Sequence, residues 1–115
     1  MTRHTLGKHG LPQSLRHKIA QVGQQIKLAR KRRGLTMKEM ADRMFVTRKT
    51  LYRLETGDPG VSFAILASAL LTLGLENDID HLADPDSDTT GKLMDKRRHD
   101  RKQRIRTSRK VDMDF

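Results

Sequence analysis

Five residues between Arg48 and Thr56 have the types and spacing to recognise a polyanion. At 100° per residue Arg48, Lys49, Tyr52, Arg53 and Thr56 share one side of a helix, while Thr47, Thr50, Leu51 and Leu54 share the other. Cations in the first turn of a helix sit at the positive end of its dipole, where each costs about 0.3–1 kcal/mol at an exposed site. A negatively charged partner removes that cost. The first turn of a helix set end-on in a DNA major groove is where side chains meet base edges, and Arg or Lys is the usual reader of guanine O6 and N7. Arg48, Lys49, Tyr52 and Arg53 are therefore the candidate base-contacting residues, with Thr36, Lys38, Thr47 and Thr56 beside them as candidate contacts to the DNA backbone. An ordinary solvated helix face would show the same pattern, so the rest of the chain has to decide.

The elements that must position these residues can be read from caps and apolar spacing. Thr36 and Glu39 form a capping box that starts one helix, with Met37, Met40, Ala41 and Met44 on its inner side. Thr47 caps the next. Upstream, Ser14 is an N-cap candidate for a helix carrying Leu15, Ile19, Val22, Ile26 and Ala29, ending before Gly34 and open to interruption at Gly23. Downstream, Asp58-Pro59-Gly60 is a turn, Ser62 caps a helix from Phe63 to Leu73, and Gly74 closes it. Leu75, Ile79 and Leu82 continue the apolar pattern through a short fifth helix. One compact all-α domain over residues 14–83 is expected.

Two charges fall on apolar faces. Arg30 lies within the stripe of Ile19 and Ile26, and Glu55 lies beside Leu51 and Leu54, which predicts a structural ion pair facing the interior. The helix after Ser62 is apolar on more than one side, since Ile65 and Ala69 lie outside the stripe of Phe63, Leu66, Ala67, Leu70 and Leu73. Ile65, Ala69, Leu75, Ile79 and Leu82 are the expected homodimer interface.

Composition agrees with a nucleic-acid partner. The 115 residues hold 24 Lys and Arg against 14 Asp and Glu, a formal charge of +10. With 35% hydrophobic and 3% aromatic residues the core must be small, aliphatic or methionine-filled. No cysteine is present, which excludes disulfides and thiolate metal sites. The most apolar run, residues 61–75, is too short for a membrane span, so a cytoplasmic, bacterial, nucleoid-associated protein is expected. The five histidines are scattered and no nucleophile has a base at recognisable spacing, so neither catalysis nor a cofactor is expected.

The ends differ from the middle. Residues 1–13, with Arg3, His4, Lys8 and His9, form a candidate flexible arm of the kind that can lie in a minor groove. Asp84, Asp86, Asp88 and Asp95 imitate part of a calcium loop, but Thr89 stands in the place of the required Gly and Asp95 in that of the bidentate Glu. An acidic linker that caps a following helix is the simpler reading. Residues 92–110 then hold ten Lys or Arg against two Asp, and a tail over residues 84–115 that is largely extended or partly helical is expected, with Ile105, Val111, Met113 and Phe115 as candidate anchors on a partner. Nonspecific RNA binding by the tail has no stacking aromatics to support it beyond Tyr52.

Ile26-Lys27-Leu28-Ala29-Arg30, Gly34-Leu35-Thr36, Glu39-Met40-Ala41, Val46-Thr47 and Leu51-Tyr52-Arg53-Leu54-Glu55-Thr56-Gly57 together resemble the Xre family of helix-turn-helix regulators, which includes phage repressors and Cro. The resemblance covers roughly residues 22–75. It implies a lambda-repressor-like five-helix fold, a recognition helix over Thr47 to Thr56, and a dimer on a pseudo-palindromic double-stranded operator. Arg48, Lys49 and Arg53 fall at the family's base-contacting positions, and Arg30 and Glu55 where it often keeps a buried pair. Phe45 departs from the pattern, standing where the family commonly has Gly. An altered turn is expected there, or a Phe45 that covers the core edge or rests on a partner. Gly57-Asp58-Pro59-Gly60-Val61-Ser62, Leu73-Gly74-Leu75 and Leu82-Ala83-Asp84-Pro85, followed by the Arg-rich tail, also resemble the HipB-like antitoxins. That resemblance implies a HipA-type kinase toxin as partner and repression of the shared operon. The alternative is a stand-alone Xre-type regulator without a toxin.

Overall fold

A computed structural model describes residues 10–113 of the chain. Its α-helices are α1 (Gln13–Arg32), α2 (Met37–Met44), α3 (Arg48–Glu55), α4 (Phe63–Leu73) and α5 (Thr89–Met113), with 3-10 turns at Glu76–His81 and Pro85–Ser87 and no strand among the described residues. The chain divides into two compact units between Ile79 and Asp80, inside the first of those 3-10 turns. The fifth helix expected around Leu75, Ile79 and Leu82 is that 3-10 turn.

The caps of the first unit are local chemistry. Glu39 N–H donates to Thr36 Oγ1 and Thr36 N–H to Glu39 Oε1, both at 3.0 Å, closing the capping box of α2. Thr50 N–H reaches Thr47 Oγ1 at 3.1 Å, and Ile65 N–H reaches Ser62 Oγ at 3.2 Å. Ser14 does not cap α1. Pro12 holds that place with φ −61° and ψ 152°, and its carbonyl accepts from Leu15 and Arg16 at 3.1 Å. A fixed proline φ at the helix entrance makes a side-chain cap unnecessary. The expected arm over residues 1–13 thus ends before Gln13, and residues 1–9 lie outside the described part.

Helix α1 packs on α3 and α4, and α2 packs on the same two. The core between them is Ile26, Met40, Ala41, Met44, Leu51, Leu54, Ala69 and Leu73. Only Met40 and Leu51 are large and fully buried, a small core of the methionine-containing kind that the composition demands. Gly23 does not interrupt α1. A Cβ there would lie 2.6 Å from the Leu54 carbonyl oxygen and 2.7 Å from that of Glu55, so a glycine lets the end of α3 rest directly on the α1 backbone.

Ala69 is withdrawn from the expected dimer surface because it has no exposure and fills the interior of the unit. Ile65 and Leu75 are partly buried against the same core, Ile79 is half-buried, and Leu82 is exposed in the second unit. On α4 the exposed large side chains are Phe63 and Leu71.

The second unit begins with the acidic segment. Asp84 Oδ1 accepts from Asp86 N–H at 3.0 Å, and Asp88 Oδ1 from Gly91 N–H at 2.9 Å, so these carboxylates cap turns. From Thr89 the tail is one helix of 25 residues rather than a largely extended segment. Residues 92–113 contain neither Gly nor Pro, and ten of the 22 are Lys or Arg. That propensity, with a capped start, favours helix where net charge alone predicts an open chain. Among the described residues no helix is long and apolar enough to cross a membrane.

Candidate nucleic-acid interface

The interface is built on α3, and α3 is held by charge. Arg30 of α1 donates through Nε to Glu55 Oε2 at 2.7 Å and through Nη2 to Glu55 Oε1 at 3.1 Å, a bidentate pair whose side chains are 8% and 4% exposed. Its remaining arm, Nη1, donates to the Leu35 carbonyl at 2.9 Å. One guanidinium therefore joins the end of α3 to the turn that opens α2. A fork of fixed N–H groups can do this and a lysine cannot. Burial this deep is tolerable only because the charges are paired and hydrogen-bonded.

Arg33 does similar work. Its Nε donates to the Leu73 carbonyl at 3.0 Å and its Nη1 to the Ala29 carbonyl at 2.8 Å, fastening the end of α1 to the end of α4. Nothing in the run from Arg30 to Arg33 distinguishes this residue from its neighbours, and its partner lies 40 residues away. Sequence reasoning had no means of finding it. Gly23 did leave a trace, since a glycine inside a helical pattern marks a close approach.

With Leu51, Leu54 and Glu55 buried, the opposite side of α3 faces water. Arg48, Lys49 and Tyr52 are exposed there, and among the described residues Arg48 and Lys49 make no ion pair or hydrogen bond. Neither does an acidic residue occupy the first turn of α3 to offset them. Arg53 differs: its Nε donates to Asp58 Oδ2 at 2.8 Å, and its side chain is 39% exposed. It is partly occupied in holding the turn after α3.

The candidate backbone contacts are also engaged locally. Lys38 pairs with Asp42 at 3.2 Å across one exposed turn of α2, an arrangement weak enough to give way to a phosphate. The Thr36 and Thr47 hydroxyl oxygens accept cap bonds, and their protons have partners nearby: the Thr36 hydroxyl faces the Glu39 carboxylate and the Thr47 hydroxyl lies 3.0 Å from that of Thr50, so either must turn from that partner to meet a phosphate. The Thr56 hydroxyl donates to the Tyr52 carbonyl at 2.9 Å and lies 3.2 Å from that of Arg53, so in this conformation it has no proton left for phosphate.

The turn from α2 to α3 keeps its left-handed residue in spite of the side chain there. Phe45 has φ 57° and ψ 39°, and Val46 N–H closes back on the Ala41 carbonyl at 3.0 Å. The turn is not altered, and Phe45 does not cover the core: it is 95% exposed.

The stretch that holds α2, its turn and α3 has a counterpart among known families. No curated protein and no solved structure matches the chain significantly. A family model described as a helix-turn-helix domain matches residues 21–82, more than half of the 115 residues. With α3 presenting unpaired cations beyond a left-handed turn, the chain belongs to the helix-turn-helix domain family of DNA-binding regulators.

Proposed function

We propose that this protein is a dimeric, sequence-specific transcriptional repressor in which α3 enters the major groove of a pseudo-palindromic operator. Arg48 and Lys49 meet base edges, Tyr52 lies beside them, and Arg53 contributes the part of its guanidinium that Asp58 does not hold. Thr36, Lys38 and Thr47 take phosphates. The observation that carries this reading is the pair of exposed, unpartnered cations in the first turn of α3, on a helix whose other side is clamped by Arg30 and Glu55. A rigid mount with free cations is what base readout needs, because a mobile helix would lose directional hydrogen bonds.

The second part of the proposal is that this repressor is the antitoxin of a HipA-type kinase. It is supported by the resemblance of residues 57–85 to HipB-like antitoxins. Purification of the native complex from its own cell, with sequencing of bound DNA and identification of bound protein, tests both parts. A palindromic site together with a co-purifying kinase is the expected result. A palindromic site without a kinase leaves a stand-alone Xre-type regulator. No sequence preference at all would overturn the repressor.

A further inference from the structure

The helix α5 is an element for which the proposed function has no use. Residues 92–106 hold eight Lys or Arg against two Asp, and every side chain from Lys92 to Ser108 is exposed. Apart from Lys92, whose Nζ donates to the Asp86 carbonyl at 2.7 Å, none of the Lys or Arg from 96 to 106 makes an ion pair or hydrogen bond among the described residues. The charge has no side. At 100° per residue, Arg97, Arg101 and Arg104 project along one flank, Arg98, Lys102 and Arg106 along the other, and Lys92 and Lys96 fill most of the arc between.

This distribution selects among polyanions. A membrane surface takes a helix with an apolar face opposite its cations, and Leu93, Met94 and Ile105 make no such face: Leu93 lies about 120° from Ile105, and Arg98 and Arg101 share the side of Met94 and Ile105. An acidic protein surface engages one flank and strands the other. Duplex RNA closes its major groove to side chains, and single strands call for a row of stacking aromatics, of which residues 89–113 hold only His99. The B-DNA major groove is about 12 Å wide with phosphates on both walls, and admits one helix of about 10–12 Å diameter. Twenty-five residues at about 1.5 Å each span about one turn of the duplex.

We propose that α5 is a second duplex-DNA element, a helix charged all round that lies in the major groove and contacts phosphates of both strands without reading bases. Only the choice of duplex DNA as the nearby ligand rests on the reading of α3, since the first unit would hold the tail at high effective concentration beside the same duplex.

The test uses the full chain and two triple variants, R97Q/R101Q/R104Q on one flank and R98Q/K102Q/R106Q on the other. Glutamine keeps helix propensity and relieves repulsion, so circular dichroism should show no loss of helix. Binding to a random-sequence DNA duplex is followed against salt. Each triple should lower the slope of log K against log salt by about 2.7, at about 0.9 per lost phosphate contact, and weaken binding at least tenfold at low salt. A slope moved by only one triple, or by neither, overturns the proposal. Equal or tighter binding to an RNA duplex or to anionic phospholipid vesicles does the same. A third variant, R48A/K49A, separates the two readings. Should α3 not read DNA, R48A/K49A would leave discrimination between duplexes unchanged while the triples still move the slope. Should α5 be wrong, only R48A/K49A would have an effect.

Discussion

Two sets of arginines, one in each unit of this protein, are used in opposite ways. In the first, Arg30, Arg33 and Arg53 are each tied to an acceptor on another part of the fold, and the acceptors are a carboxylate at a helix end or a carbonyl left over where a helix stops. In the second, Arg97, Arg98, Arg101, Arg104 and Arg106 stand in water along a helix with no acceptor among the described residues. Arginine content and net charge thus say little about role. What separates tied from free arginines is the side of the helix they stand on: a charge carried onto an inward face, as Arg30 is on α1, must be satisfied, whereas Arg48 on the outward side of α3 and the arginines of α5, which has no apolar face, stay unpaired.

The largest expected effect breaks the first half of that contrast. Glu55→Ala strands the Arg30 guanidinium at a site where it is 6% exposed, and should destabilise the first unit by about 3–5 kcal/mol. That is a large share of the stability of a small domain. Thermal unfolding followed by circular dichroism measures it, and an unchanged melting curve would show that the buried pair is not structural. Replacing both partners, R30M with E55L, should recover much of the loss, since a packed apolar pair can equal a buried ionic one.

Next in size is Arg48→Ala, which removes a side chain without intramolecular bonds. The melting temperature should hold. Affinity for the selected operator should fall by about 1–3 kcal/mol and discrimination should relax at one base pair per half-site. Equal losses on operator and random DNA would instead place Arg48 with the unspecific cations of α5, and the contrast between reading and holding would collapse.

How much of this was legible follows from the range of each interaction. Caps are local, so Thr36 with Glu39, Thr47 and Ser62 could be read directly. The apolar spacing also put Arg30 and Glu55 on inward faces, because a wheel needs only neighbours within a few turns. The base of α4 was harder. Ala69 falls outside the stripe of Phe63 and Leu66, yet α1 and α2 both pack against α4, and a helix covered from two sides buries more than one stripe. Arg33 was illegible because its acceptor, the Leu73 carbonyl, is fixed only once α1 and α4 meet. The tail was legible in part: its charge argues for an open chain while its residue types favour helix, and composition does not rank the two, so a partly helical tail was only one of two expectations. The candidate readers Arg48 and Lys49 were legible as types and positions. That nothing else in the fold occupies them required coordinates.

Phe45 sharpens the comparison from within the first unit. Left-handed backbone at a bulky residue costs on the order of 1–3 kcal/mol, and a 95% exposed ring returns nothing to the fold. Phe45→Gly should therefore stabilise the unit, by about 1 kcal/mol after the extra flexibility of the unfolded glycine is counted. A lowered melting temperature would mean that the ring makes contacts in solution that its exposure denies. The smallest effect concerns a carboxylate at the other end of α2. Glu39 is held below the ordinary Glu pKa, first by the Thr36 backbone N–H and then by the Thr36 side chain. A lowered folded-state value means that the capping box contributes its full stability above the unfolded pKa of Glu and loses it as pH falls through the lowered value. Acid titration of stability should therefore be shallower in Thr36→Val, which keeps the backbone N–H but not the hydroxyl, than in the parent. Equal slopes would show that the hydroxyl adds nothing to the lowered pKa, and would leave the backbone hydrogen bond as its cause.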